Sequence, residues 1–359
     1  MIFLQLFIIL LILFLFFYIA YRLIQKQNMH YIYEGFEEGL TTSTITNTTD
    51  KMLDISLNQV CIKASYNSAF DGGTKVSLDQ LNYVLSTGCR FLDFEIYLGS
   101  KGDAVVNYST DPTNSTVINT SNKDELSFST IMSEINNSSV KTSADGKNTY
   151  VTPNPDDPLF IQLRIKTDTK KNDNTIYSAV GTVLNGYKDN KLHRKNDKAI
   201  QINGDTNLKD LKGKYIIVMD KSINPNYPES FDDYVNIITG GNTWSSQQYS
   251  LFKNQKSTPP KINDDFKTTN ITQLKLLMPD VDEKSANPQN PFSLIENYGV
   301  QTIAYKFYKR DMALDLYETI FSEYQSAFVP LAYVLQFIKA KKQQPDETLR
   351  LKYGASFIK

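Results

Sequence analysis

Histidine and cysteine are nearly missing from this chain of 359 residues, which has two of each: His30, His193, Cys61 and Cys89. So few cysteines exclude a disulfide scaffold or a cysteine-rich zinc protein, and imidazole acid–base chemistry has only two side chains to draw on. An excess of charge is lacking too, with 38 Lys plus Arg against 39 Asp plus Glu. A protein that tracks a phosphate backbone carries a clear basic excess, so nucleic acid is not an expected partner. There is no internal repeat. The one tryptophan, Trp244, sits beside Gly240, Gly241 and Asn242 and reads as an exposed loop aromatic or a local core plug.

What the chain does have is an apolar front. Across residues 1–20 the only strongly polar side chain is Gln5, and about 20 such residues reach across a hydrocarbon layer as a helix. Residues 1–22 are therefore expected to be an uncleaved membrane anchor. No basic residue precedes the run and no small-residue cleavage pattern follows it, which disfavours a signal peptide. Tyr18 and Tyr21 suit an interface, and Arg22 and Lys26 end the span. The basic residues after the span favour a single-pass protein with its large domain in the cytoplasm. A lumenal domain stays open because sequons occur at Asn47, Asn107, Asn114, Asn119, Asn136, Asn137 and Asn270. Richness in Asn, Lys and Ile hints at an AT-rich genome and leaves a viral membrane conceivable.

Residues 23–54 read as a polar linker. From residue 55, short apolar runs at 59–64, 89–97, 104–106, 159–165, 214–219, 234–238 and 300–307 alternate with helix-like spacing at 78–85, 128–135 and 176–184. This alternation predicts an α/β domain with a largely parallel sheet over 55–330, either a barrel or an open sheet. The stretches 109–124, 138–157 and 245–269 are expected as surface loops. Residues 331–359 read as a C-terminal helix and basic tail, with Lys339, Lys341 and Lys342 after an apolar segment at 331–338. Cys61 and Cys89 read as buried thiols, with a disulfide left open. His193, in the basic run 188–198, reads as a surface residue.

Four collinear motifs carry a family resemblance. Lys63-Ala64-Ser65-Tyr66-Asn67-Ser68 is similar to a first barrel strand that ends in Ser-His-Asn-Thr. The stretch from Gly88 through Cys89 and Arg90 to Asp93 and Glu95 is similar to the next strand. The stretch starting at Leu211-Lys212-Gly213-Lys214 resembles the start of the fifth. The stretch from Asn290 to Phe307, with Gly299-Val300-Gln301, resembles the last strands. Together they resemble the catalytic X region of phosphatidylinositol-specific phospholipase C over most of residues 55–325. The resemblance implies a distorted (β/α)8 TIM barrel with its site at the C-terminal strand ends. It also implies a two-histidine phosphodiester cleavage, often assisted by calcium.

Carried onto this chain, the resemblance places Tyr66 and Tyr108 where the histidines would stand. A phenol, with a pKa of about 10, is a poor substitute for either. Asn67, Asp93 and Glu95 match the oxygen ligands of calcium, but the fourth position is Arg164, which has no acceptor. Arg164 is expected to pair with Asp93 or Glu95, so that no cofactor is needed. The resemblance would set Lys221 at a phosphate-contacting lysine, but its neighbouring lysine position is Met219 and Lys284 is the sole cation of the later substrate loop, so Lys221 reads first as a solvated loop lysine. The expected function is a membrane-anchored pseudoenzyme acting as a structural or protein-binding module, with a protein partner and a bilayer contact through residues 1–22. The alternatives are a divergent phosphoric diester hydrolase acting on phosphoinositides, the one case that would call for calcium, and a noncatalytic inositol-lipid binding module.

Overall fold

Strands whose residues are buried on both faces need cover on both sides, and a closed parallel barrel supplies it. In the computed structural model the strands β1 (Val60–Ser65), β2 (Phe91–Leu98), β3 (Leu159–Ile165), β4 (Tyr215–Asp220), β5 (Ile237–Thr239), β6 (Trp244–Gln248), β7 (Leu274–Met278) and β8 (Thr302–Tyr305) lie side by side, each parallel to the next. Pairing of β8 with β1, from Ile62↔Thr302 to Ser65↔Tyr305, closes the eight-stranded barrel. The structure describes residues 44–73, 75–109, 125–138, 151–166, 174–188, 191–221, 227–241, 243–250, 273–280 and 286–343, with Gln5, Leu15, Phe17 and Tyr18. The chain divides into two units, Met1–Ser43 and Thr44–Lys359, and the barrel belongs to the second.

Alternation along each strand sorts the core into two layers. Val60, Ile62, Ala64, Phe91, Phe160, Ile216, Val218, Leu274 and Leu276 fill the barrel interior together with Trp244, whose ring meets Phe91 and Phe160 edge-on at 5.6 and 6.0 Å. The outward set packs under helices α1 (Leu78–Ser86), α2 (Phe128–Asn137), α3 (Thr175–Asn185), α4 (Pro291–Tyr298), α5 (Met312–Tyr324) and α6 (Leu331–Gln343). Several starts are set by side-chain caps. Ser77, Ser127, Asn290 and Asp311 accept from the backbone N–H of Gln80, Thr130, Ser293 and Leu314. In α6, Val334, Phe337 and Ile338 are buried, Phe337 meets Phe292 of α4, and Lys342 pairs with Glu296.

Several expectations change. The membrane anchor is corrected: among the described residues no helix is long and apolar enough to cross a membrane. Residues 1–22 lie outside the described residues except for Gln5, Leu15, Phe17 and Tyr18. Apolarity over about 20 residues is necessary for a span but is also met by buried helices. The single-pass cytoplasmic placement, the viral membrane and the bilayer partner through residues 1–22 lose their ground with it, as does the membrane-anchored module.

Trp244 is no exposed loop aromatic but an interior residue of β6, whose 244–248 span also removes the first residues of the expected 245–269 loop. Its polar Ser245 to Gln248 hid it. The 138–157 stretch is not plain surface, since Thr152, Asn154 and Asp157 are buried beneath the barrel. Thr48 donates through N and Oγ1 to Asp157 at 2.8 and 2.9 Å, so residues 44–54 of the expected linker pack as part of the barrel unit. Cys61 and Cys89 are buried free thiols that burial pushes up to about 12. His193 is half-buried rather than on the open surface. His30, Lys284 and the sequons at Asn114, Asn119 and Asn270 lie outside the described residues, and Asn107 is buried.

Candidate functional site

The C-terminal ends of β1, β2 and β3 converge on one buried charge cluster. Asp93 and Glu95 project from the same face of β2 because they are two residues apart, and neither is exposed to solvent. On the adjacent β3, Glu95 is in register with Arg164. Its Nε and Nη2 donate to the two oxygens of Asp93 at 2.8 and 2.6 Å, and Nη1 donates to Glu95 Oε1 at 2.7 Å. Nη2 also donates to Asn67 Oδ1 at 2.5 Å. Just past β1 the backbone turns left-handed at Asn67, φ +43°, a conformation that asparagine tolerates better than most residues. That turn aims the Asn67 N–H at Asp93 Oδ2, 3.0 Å away. Ser68 completes the link: its N–H donates to the Asp93 carbonyl and its hydroxyl accepts from the Asp93 N–H, both at 2.9 Å.

Remaining lone pairs of Glu95 are also used. Its Oε2 accepts from the Tyr97 hydroxyl at 2.7 Å and the Ser109 N–H at 3.0 Å. Burial alone would push the Glu95 carboxyl up. The charges of Arg164 and Lys166 and the bonds from Tyr97 and Arg164 outweigh it and hold Glu95 below its ordinary value. Burial works against the Arg164 charge as well, yet Asp93, Tyr66 and Glu95 hold it well above the usual value.

An aromatic lid covers the cluster. The Tyr66 ring faces the Arg164 guanidinium at 4.6 Å. Among the described residues its buried hydroxyl has no hydrogen-bond partner, and burial drives its pKa upward. Tyr108 is buried against Phe70 at 3.9 Å, and Phe70 meets Tyr308 at 4.8 Å. The gap lined by Asn67, Phe70, Asp93, Glu95 and Asn107 has no room for a water molecule.

The structure thus brings Tyr66, Asn67, Asp93, Glu95 and Arg164 together. Lys221 stands apart on the exposed rim after β4, with Nζ 5.9 Å from the Tyr227 ring. Met219 is buried. Sequence reasoning missed Tyr97 and Lys166, although each lies two residues beyond a site residue on its strand; Phe70 and Tyr308 left no comparable signal. Lys166 is buried at the end of β3, and burial lowers its pKa despite the attraction of Glu95.

No family model and no curated protein matches the sequence. Solved structures do. The chain is similar to PLC21 of S. officinalis, with a TM-score of 0.55, and to PLC21 of L. pealei, with 0.54; each is 18% identical over 77% of this chain and 37% of theirs. The fold is that of the phospholipase-C-type phosphodiesterase barrels. This chain spans little more than a third of the PLC21 chains, and at such identity the likeness concerns the fold alone. A calcium-dependent phosphoinositol-specific phospholipase C from Pseudomonas sp. aligns over 81% of this chain and 100% of its own, at 11% identity and a TM-score of 0.47. The viral setting drawn from composition is not supported.

In this type of barrel the resemblance implies calcium at the β1–β3 ends. The residues present do not fit it. Both oxygens of Asp93, Oε1 of Glu95 and Oδ1 of Asn67 already accept from Arg164, whose guanidinium occupies the space between them. Among the described residues no group of three or more His, Cys, Asp or Glu side chains could hold a metal ion.

Proposed function

We propose that this chain is a divergent phospholipase-C-type barrel that has lost phosphodiester hydrolysis. One observation carries the reading: the side chains at both histidine positions of the resemblance, Tyr66 and Tyr108, are phenols sealed in the protein. In-line cleavage of a phosphodiester needs one group to accept the proton of the attacking hydroxyl and another to protonate the leaving oxygen. Both must titrate near neutrality. Burial moves Tyr66 further from that range. The full chain, assayed with phosphatidylinositol and with a chromogenic phosphodiester from about pH 5 to 9, with and without calcium, is expected to release no more product than its Asp93→Ala variant. Turnover by the wild type that Asp93→Ala abolishes would overturn the reading.

A second reading, a divergent phosphoric diester hydrolase acting on phosphoinositides, draws on the likeness to the PLC21 barrels and on Lys166. This lysine combines a lowered pKa with nearby carboxylates of Glu95 and Asp220. Its mark would be turnover with a pH optimum that Lys166→Met removes.

A further inference from the structure

We infer that the Arg164 guanidinium is a built-in counter-cation in an oxygen cradle, and that replacing it uncovers a binding site for a hard divalent cation such as calcium. The cradle exists independently of the arginine's own strand: β1 and its turn supply Asn67, and β2 supplies Asp93 and Glu95. Four oxygens of these residues point at one center of positive charge at 2.5–2.8 Å. Other donors hold the carboxylates from behind. The Asn67 N–H donates to Asp93 Oδ2, and the Ser109 N–H and Tyr97 hydroxyl donate to Glu95 Oε2, so both carboxylates keep bonds that orient them when residue 164 changes. Hard cations are bound by such convergent carboxylate and amide oxygens, and a carboxylate at position 164 would add two more. Without the guanidinium, two fully buried carboxylates face each other with the nearby charge of Lys166 as partial compensation. In the wild type the guanidinium fills both the charge requirement and the space, and the site excludes divalent ions. This inference is independent of whether the barrel turns over a substrate.

The test is thermal unfolding of the full chain, wild type and Arg164→Glu, in chelator and in millimolar calcium. The wild type is expected to move by less than about 1 °C, and Arg164→Glu to gain about 5 °C or more. Terbium provides a second readout, because Tyr66 and Tyr97 beside the cradle would sensitise its emission. That emission is expected from Arg164→Glu and from the neutral Arg164→Gln, displaced by calcium, and not from the wild type. A calcium shift in the wild type overturns the inference, as does a folded Arg164→Glu that ignores calcium. If Arg164→Glu does not fold even with calcium, Arg164→Gln decides: displaceable terbium emission supports the cradle, and its absence overturns it. Phosphodiester turnover by the wild type would sink the proposed function and leave this result untouched.

Discussion

A guanidinium held between two unexposed carboxylates has surrendered its hydration, and only near-complete hydrogen bonding makes that tolerable. Arg164 meets the condition through both oxygens of Asp93, one of Glu95 and one of Asn67. Lysine, a point charge without a planar fork, could not reproduce the two-pronged grip on Asp93. A different residue sets a mild pH response. Burial and the charge of Lys214 hold His193 below its ordinary pKa, against a weaker pull from Asp210. A base whose folded pKa is depressed gives stability that is complete above its unfolded value of about 6.5 and is lost as pH falls toward the folded value. Unfolding midpoints of the wild type are therefore expected to fall between about pH 7 and 5 more steeply than those of His193→Gln. Parallel profiles would show that His193 titrates alike in both states.

At the level of elements, the base of the barrel is tied by a segment that precedes it. Ile45 lies against Gly88, whose φ of +81° and crowded surroundings leave no space for a side chain: an added Cβ would come within 2.7 Å of Ile45. Asp157 receives two bonds from Thr48 and one from Asn154 at 3.0 Å. Asp157→Ala would take the acceptor from the buried Thr48 N–H, while Thr48 Oγ1 keeps Ser326 Oγ and Asn154 Nδ2 keeps the Gly88 carbonyl, and is expected to cost about 1–3 kcal/mol in urea unfolding. A loss within about 0.5 kcal/mol would mean that the strap contributes nothing.

Polar residues such as Thr48 made this segment look like linker, whereas 78–85 and 159–165 were readable because helical spacing and a continuous apolar run betray their buried faces. Strand β6 escaped because Trp244 is its main interior anchor and Ser245 to Gln248 read as loop. Strand β7 escaped because Lys275 interrupts its apolar run, although that lysine is buried and donates to the Tyr298 carbonyl at 2.9 Å. In the site, the spacing of two exposed Asp93 and Glu95, and motif order exposed Arg164. Phe70 and Tyr308 come from turns whose meeting is fixed only by the closed barrel.

For the molecule as a whole, closure is uneven. Among the described residues the ladder between β5 and β6 is the single pair Thr239↔Trp244 and that between β1 and β2 the two pairs Ala64↔Phe91 and Ser65↔Leu92, with flanking backbone bonds from Gly240 to Trp244, Arg90 to Lys63 and Ser68 to Asp93. Just beyond the second joint, Arg164 binds Asn67 across a sequence separation of 97 residues. Such a contact needs β1, β2 and β3 already aligned, so it is expected to form late, after the rate-limiting ordering of the chain. An interaction absent from the transition state slows unfolding and leaves folding nearly unchanged. Trp244, the one indole and fully buried in the barrel, reports the event by fluorescence. Arg164→Met is expected to unfold at least about 10-fold faster while refolding within about 2-fold of the wild type, and an equal slowing of refolding would place the contact in the folding nucleus instead. The charge cluster is then a latch on lifetime: it sets how long a closed barrel stays closed, and has little say in how quickly one is made.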